Sequence, residues 1–239
     1  MTLLLITQMR RRIKIARDTS DTDYFMAILY FGEMLTKLTA AGLLAAIDDN
    51  SRGTRYRLLH RLVRADGIGE WAKVIDDLLG PDSQCLCPGV QSLRRELTQR
   101  LPPGHWQTES LTTLANCIKV LIPDRELGSR RADAREWFSS FSMLRNKTRG
   151  HGAPPTSSLS AACVDLEKSI ELLSSNLTLF TMPWAYIYQQ LSGKYVVIGL
   201  TESTVEFDYL PNWTGPTISQ GVYVDMDGPR KVDLVESTT

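Results

Sequence analysis

The sequence predicts a mainly α-helical protein that ends in a small β-rich segment, α+β overall, and three observations carry that reading. Up to Leu177, apolar residues return every three or four positions between Gly and Pro stops, which is the period of one helix face after another. From Trp184 the pattern changes to short runs rich in Tyr, Val and Ile, separated by Ser-Gly, Pro-Asn and Asp-Gly turn signals. The chain has 239 residues, enough for a helical body over 1–182 and an appendage over 183–239 that is small for an independent core. The β segment is therefore expected either to pack on the helices or to open a larger β module.

The body begins with a basic N-terminal arm. Leu3-Leu4-Leu5-Ile6 is too short for the apolar core of a secretion signal, and its arginines follow it instead of preceding it. Arg10, Arg11, Arg12, Lys14 and Arg17 then place five cations in eight residues. Residues 18–23 supply N-caps for a helix over 24–47 that is apolar nearly all round, the pattern of a central buried helix. Glu33 and Lys37 in its middle argue against a membrane span. A loop over 48–53 leads to a helix over 54–65 with Tyr56, Leu59, Leu62 and Val63 on one face and arginines on the remainder.

Trp71, Val74, Ile75, Leu78 and Leu79 mark the next helix, which Gly80-Pro81 stops. A short helix over 92–101 ends at Pro102-Pro103-Gly104, and one over 110–122 ends at Pro123. Residues 131–144 carry an aromatic stripe of Trp137, Phe138 and Phe141. A polar run over 145–158 interrupts the pattern before Leu159, Ala162, Leu166, Ile170, Leu173 and Leu177 resume it. Strands are expected over 184–188, 194–200, 205–210, 221–226 and 231–235.

Composition excludes some classes. With 43% hydrophobic and 23% charged residues, the chain is neither disordered nor collagen-like. Lys+Arg 27 against Asp+Glu 27 removes any global electrostatic argument for a nucleic-acid or membrane partner. The charge is unevenly placed, however. Residues 125–149 hold seven cations, whereas seven acids and two cations follow from Glu202 onward. Cys85, Cys87, Cys117 and Cys163 have no zinc-like or disulfide-framework spacing and read as reduced thiols of a cytoplasmic protein. No phosphate loop, dinucleotide fingerprint, Gly-x-Ser-x-Gly elbow or His-Glu-x-x-His is present, so no metal and no cofactor is expected.

Chemistry concentrates at one place. The run Arg145-Asn146-Lys147-Thr148-Arg149-Gly150-His151 packs three cations, an amide, a hydroxyl and an imidazole into seven residues at the junction of two striped helices. Six residues turn an unbroken helix by about 600° and advance it about 9 Å, which would leave Arg145 and His151 about 120° apart. Gly150 and Gly152 flank the histidine and give the chain freedom to turn back, which would bring both toward one phosphate. A histidine titrates near neutrality and suits proton transfer, while an arginine fork suits the charge on a phosphorane. The same run also reads as a solvated helix end, where cations are favoured by the helix dipole.

This run resembles the Arg-polar-x(3–5)-His motif of the HEPN superfamily, helical proteins that include many ribonucleases of prokaryotic defence and toxin–antitoxin systems. The resemblance spans about residues 21–180, and the β segment is no part of that pattern. It implies a HEPN-like helical bundle with metal-independent endoribonuclease activity, in which two protomers of a homodimer combine their Arg–His pairs. By residue, Arg145 would contact the scissile phosphate, Asn146 would support it, and His151 would move the proton. Lys147, Arg149, Arg135 and Arg131 would hold RNA. Glu33 and Lys37 are similar to a Glu-x3-Lys element of some members and would support the site, although at i,i+4 they are first of all a salt bridge. An antitoxin or a larger defence assembly is the implied protein partner, and a membrane is not. The alternative is a non-catalytic HEPN-like module for dimerisation or partner docking.

Overall fold

The structure is a computed structural model and describes residues 2–65, 67–123, 133–150, 156–202 and 219–232. Among these are eight α-helices and a four-stranded sheet: α1 (Leu4–Arg17), α2 (Asp21–Ala45), α3 (Arg52–Arg64), α4 (Ile68–Leu79), α5 (Gln91–Thr98), α6 (Trp106–Leu121), α7 (Ala134–Gly150), α8 (Thr156–Asn176), β1 (Trp184–Gln189), β2 (Tyr195–Gly199), β3 (Gly221–Asp225) and β4 (Pro229–Lys231). The fold is mainly α with a small C-terminal antiparallel sheet, as expected.

α2 forms the centre. Ser20 caps it by accepting from the Asp23 amide at 3.0 Å, and Asp21 and Asp23 sit in its first turn where the helix dipole favours acids. Its length and composition would allow it to cross a membrane, but 72% of its most apolar window is buried inside the fold. Packing against α1, α4, α7 and α8 accounts for that burial. At Gly32 the missing side chain is what admits α7, because a Cβ there would overlap the Phe141 ring. Phe141 in turn lies flat on Trp137, with ring centroids 5.0 Å apart.

A buried polar knot fastens α6, α7 and α8. Ser110 Oγ donates to the Ser169 carbonyl at 2.8 Å, Ser169 Oγ donates to the Ser110 carbonyl at 2.6 Å, and Trp137 Nε1 donates to Ser169 Oγ at 2.8 Å. Ser169→Ala removes hardly any volume but leaves the Ser110 carbonyl and the Trp137 N–H without this partner. The expected cost is about 1–3 kcal/mol of unfolding free energy in urea titration. A loss below about 0.5 kcal/mol, the usual range of a neutral surface change, would show that the knot is not structural.

The N-terminal arm requires a correction, because it is a helix. α1 buries Ile6 and Ile13, while two of its cations are drawn down onto α8. Arg10 grips Glu171 through Nε and Nη2 at 2.7–3.0 Å, and Arg17 pairs with Glu167, which also accepts from the Tyr24 hydroxyl. Burial, then the bond to Glu167, pushes the Tyr24 phenol well above its ordinary range.

The sheet has the order β2-β1-β3-β4, with Ala185 opposite Gly199 on one side and Tyr223 on the other. Asp227 and Gly228, both with positive φ, make the expected Asp-Gly turn between β3 and β4. The β segment packs on the helices. Trp184, Val224 and Met226 belong to the main core, and Trp184 Nε1 donates to the Leu179 carbonyl at 3.0 Å. The expected strand over 205–210 and the end of that over 231–235 lie outside the described residues.

Candidate functional site

The first part of the expected polar run, residues 145–150, continues the helix. α7 continues to Gly150, since nothing before that glycine breaks it and Arg and Lys are good helix formers that the dipole favours at a C-terminus. Thr148 Oγ1 secures the last turns by donating to the Leu144 carbonyl at 2.9 Å. A helical Arg145–Arg149 stretch has a definite consequence. Residues 145 and 149 share one face, and 146 and 147 turn away from it.

Arg145 and Arg149 face α2. Arg145 Nε donates to Glu33 Oε1 at 2.6 Å, and Arg149 Nη1 approaches the same oxygen at 3.3 Å. Arg149 also lies over the Tyr30 ring, 5.1 Å from its centroid, and donates to the Tyr30 hydroxyl at 3.2 Å. Arg12 of α1 stands 5.0 Å from that same ring. The Gly32–Phe141 contact sets this geometry, because Phe141 and Arg145 are four residues apart on one helix face and Gly32 and Glu33 are neighbours on the other helix. Glu33 is mostly shielded, with 15% of its side chain exposed, against 25% for Arg145 and 39% for Arg149. Two guanidiniums around one carboxylate oxygen form an anion site whose present occupant belongs to the protein itself.

Asn146 and Lys147 line a different cleft, of about 460 Å³, with Gly69, Lys73 and Asp76 of α4 and Ser142 of α7. Asn146 still touches the first site, since its Oδ1 accepts from Arg145 Nη1 at 3.2 Å. Arg135, expected on the RNA face with Arg145, sits about 15 Å away along α7. There its Nε is 3.4 Å from Asp76 and its Nη2 is 3.9 Å from Asp133. His151 and Arg131 lie outside the described residues.

The expected Glu33–Lys37 salt bridge is replaced. Glu33 is taken by the α7 arginines, and the Lys37 ammonium lies 5.6 Å from the centroid of the Trp71 ring. An i,i+4 pair contributes only about 0.2–0.5 kcal/mol, so a better-shielded guanidinium wins. Lys37 and Trp71 line a groove of about 730 Å³ together with Tyr30, Met34 and Val222.

Tyr30 was not legible as a site residue. Its only signal is a position one turn before Glu33, on a helix otherwise read as core. Trp137 and Trp184 are 1% and 3% exposed, too buried for a base to stack on. Among the described residues no group of three His, Cys, Asp or Glu side chains converges on a metal position. The four cysteines are free, and burial holds the Cys163 thiol up at about 12 and raises Cys117 as well, so neither supplies a thiolate near neutral pH.

No family model matches this chain, and no curated protein or solved structure does.

Proposed function

We propose that the protein is a metal-independent endoribonuclease of the HEPN type that cleaves RNA by attack of the substrate's own 2′-oxygen. The observation that carries this reading is the pair of guanidiniums, Arg145 and Arg149, around one carboxylate oxygen at the end of α7, in the turns leading to His151. A phosphate exchanging with that carboxylate meets a fork that neutralises the extra charge of a phosphorane. His151 takes the 2′-hydroxyl proton or returns one to the departing 5′-oxygen. A new bond from the 2′-oxygen to phosphorus replaces the bond to the 5′-oxygen, so the products are a 2′,3′-cyclic phosphate and a 5′-hydroxyl. Asn146, through its contact with Arg145, supports the fork.

Under this reading the protein acts in the cytoplasm as a homodimer whose two Arg–His pairs face one another, in phage defence or as a toxin restrained by a partner. The test is mixed RNA incubated with the full chain in EDTA, with end-group analysis of the products. Wild type is expected to give cyclic phosphate ends, and His151→Ala to give none. Equal cleavage by the two, or no cleavage by wild type with any candidate partner removed, overturns the reading.

A second reading rests on the same carboxylate. Glu33 already satisfies both arginines, which is how a purely structural ion pair would look, and the protein would then be a non-catalytic dimerisation or docking module of a larger assembly. Intact cellular function in Arg145→Ala and His151→Ala would favour it.

A further inference from the structure

The groove beside the arginine cluster shares Glu33 and Tyr30 with the candidate site but carries an inference that does not rest on the RNA reading. Its walls come from four parts of the fold: the start of α1, the middle of α2, Trp71 of α4 and the sheet. The lining is predominantly aliphatic and aromatic, with Leu5, Met34, Leu38 and Val222 beside the Trp71 ring, and its two charged residues are Glu33 and Lys37. Leu5 is 46% exposed at the rim, a large apolar side chain left in water. The volume, about 730 Å³, lies within the roughly 300–1,000 Å³ of small-molecule sites.

One charge on this wall has no carboxylate of its own. Glu33, the natural partner of Lys37, is turned to Arg145 and Arg149, whose two positive charges outweigh its single negative one. Lys37 rests on Trp71 instead, and among the described residues no acid pairs with it. A cation–π contact satisfies the ring face but leaves ammonium N–H donors for a ligand. An apolar cavity with one unneutralised cation at its wall selects molecules of matching pattern.

We propose that this groove binds a small amphipathic anion, with an aryl or alkyl body against Leu5, Met34, Leu38 and Val222 and a single carboxylate, sulfonate or phosphate on Lys37. The apolar body supplies affinity and the Lys37 contact fixes its orientation. Charge complementarity selects this occupant over a neutral hydrophobe or a cation.

The probe is anilinonaphthalene sulfonate, compared with its uncharged analogue phenylnaphthylamine, titrated fluorimetrically into the full chain. The sulfonate is expected to bind once per chain. Lys37→Gln is expected to weaken it about tenfold and to leave the neutral probe unchanged, as the loss of one charge-assisted contact requires. Leu5→Gln and Met34→Gln, both conservative of helix, are expected to weaken both probes, with circular dichroism confirming the fold. Equal sulfonate affinity in wild type and Lys37→Gln overturns the proposal, as does binding indifferent to Leu5 and Met34. Binding that appears only after removal of residues 233–239 shows that the chain covers its own groove. Binding that disappears as protein concentration rises shows that a second copy does, and either result also overturns it.

Discussion

Arg145→Ala is expected to lower RNA cleavage by about 10²–10³-fold, the usual loss when one preorganised donor to a developing oxyanion is removed. On the endoribonuclease reading this guanidinium is the main charge aimed at the phosphorane, and Arg149, 3.3 Å from the same carboxylate oxygen, replaces it only in part. Glu33→Gln should act in the opposite direction on binding. It keeps the shape of the side chain and removes the charge that a phosphate must displace, so both α7 arginines become available. With about 0.7 of log–log salt slope per phosphate contacted on a single strand, the one phosphate that the released pair takes steepens the slope of RNA binding by about 0.7. A 2′-O-methyl oligonucleotide, which cannot be cleaved, separates binding from chemistry. An unchanged salt slope in Glu33→Gln would mean that phosphate never exchanges with Glu33, and unimpaired cleavage by Arg145→Ala would remove the arginine from the mechanism.

Gly32→Ala should destabilise the fold by about 2 kcal/mol, against the ordinary trend. In a solvent-exposed helix the change gains about 1 kcal/mol of propensity. Here the added methyl meets the Phe141 ring, which is fully buried and stacked on Trp137, so neither ring can retreat. Overpacking of that kind costs about 1–3 kcal/mol and occasionally more, and it exceeds the propensity gain. In urea denaturation the double variant Gly32→Ala/Phe141→Leu should recover part of the loss that the two single changes predict by addition. A Gly32→Ala protein as stable as wild type would show that the spacing of α2 and α7, and with it the reach of Arg145 to Glu33, is set elsewhere.

Most of the fold was legible because periodicity and punctuation agree. α4, α6 and α8 bury the stripes that the sequence displays, and the Pro183 break marks the change to strands. α1 was not legible, because its buried Ile6 and Ile13 are seven residues apart among cations whose partners, Glu171 and Glu167, lie far along the chain. The extension of α7 was hidden for a related reason. Beyond Leu144 it meets α2 through Arg145, Arg149 and Glu33, and a polar contact leaves no apolar period to read. At the candidate site, Arg145 and Asn146 stand together as their adjacency suggested, whereas Tyr30 and Arg12 come from helices that no local pattern links to α7.

The chain also closes on itself. Leu3 bridges Thr201, the Leu4 amide donates to the Leu200 carbonyl at 2.9 Å, and the Glu202 amide donates to the Thr2 carbonyl at 3.0 Å. During synthesis residues 2–4 therefore have no edge to pair with until residues 200–202 have been made, whereas α1 can dock on α2 as soon as both helices exist. Long loop closures of this kind are slow, since their entropy must be lost before any contact rewards it. Pairing of residues 2–4 with 200–202 is then a late step in folding, separate from the packing of α1 on α2 that brings Arg12 to Tyr30. A chain cut before Leu200 would keep α1 on α2 and lose only the bridge, so it is the bridge that ties the start of the helical body to the sheet.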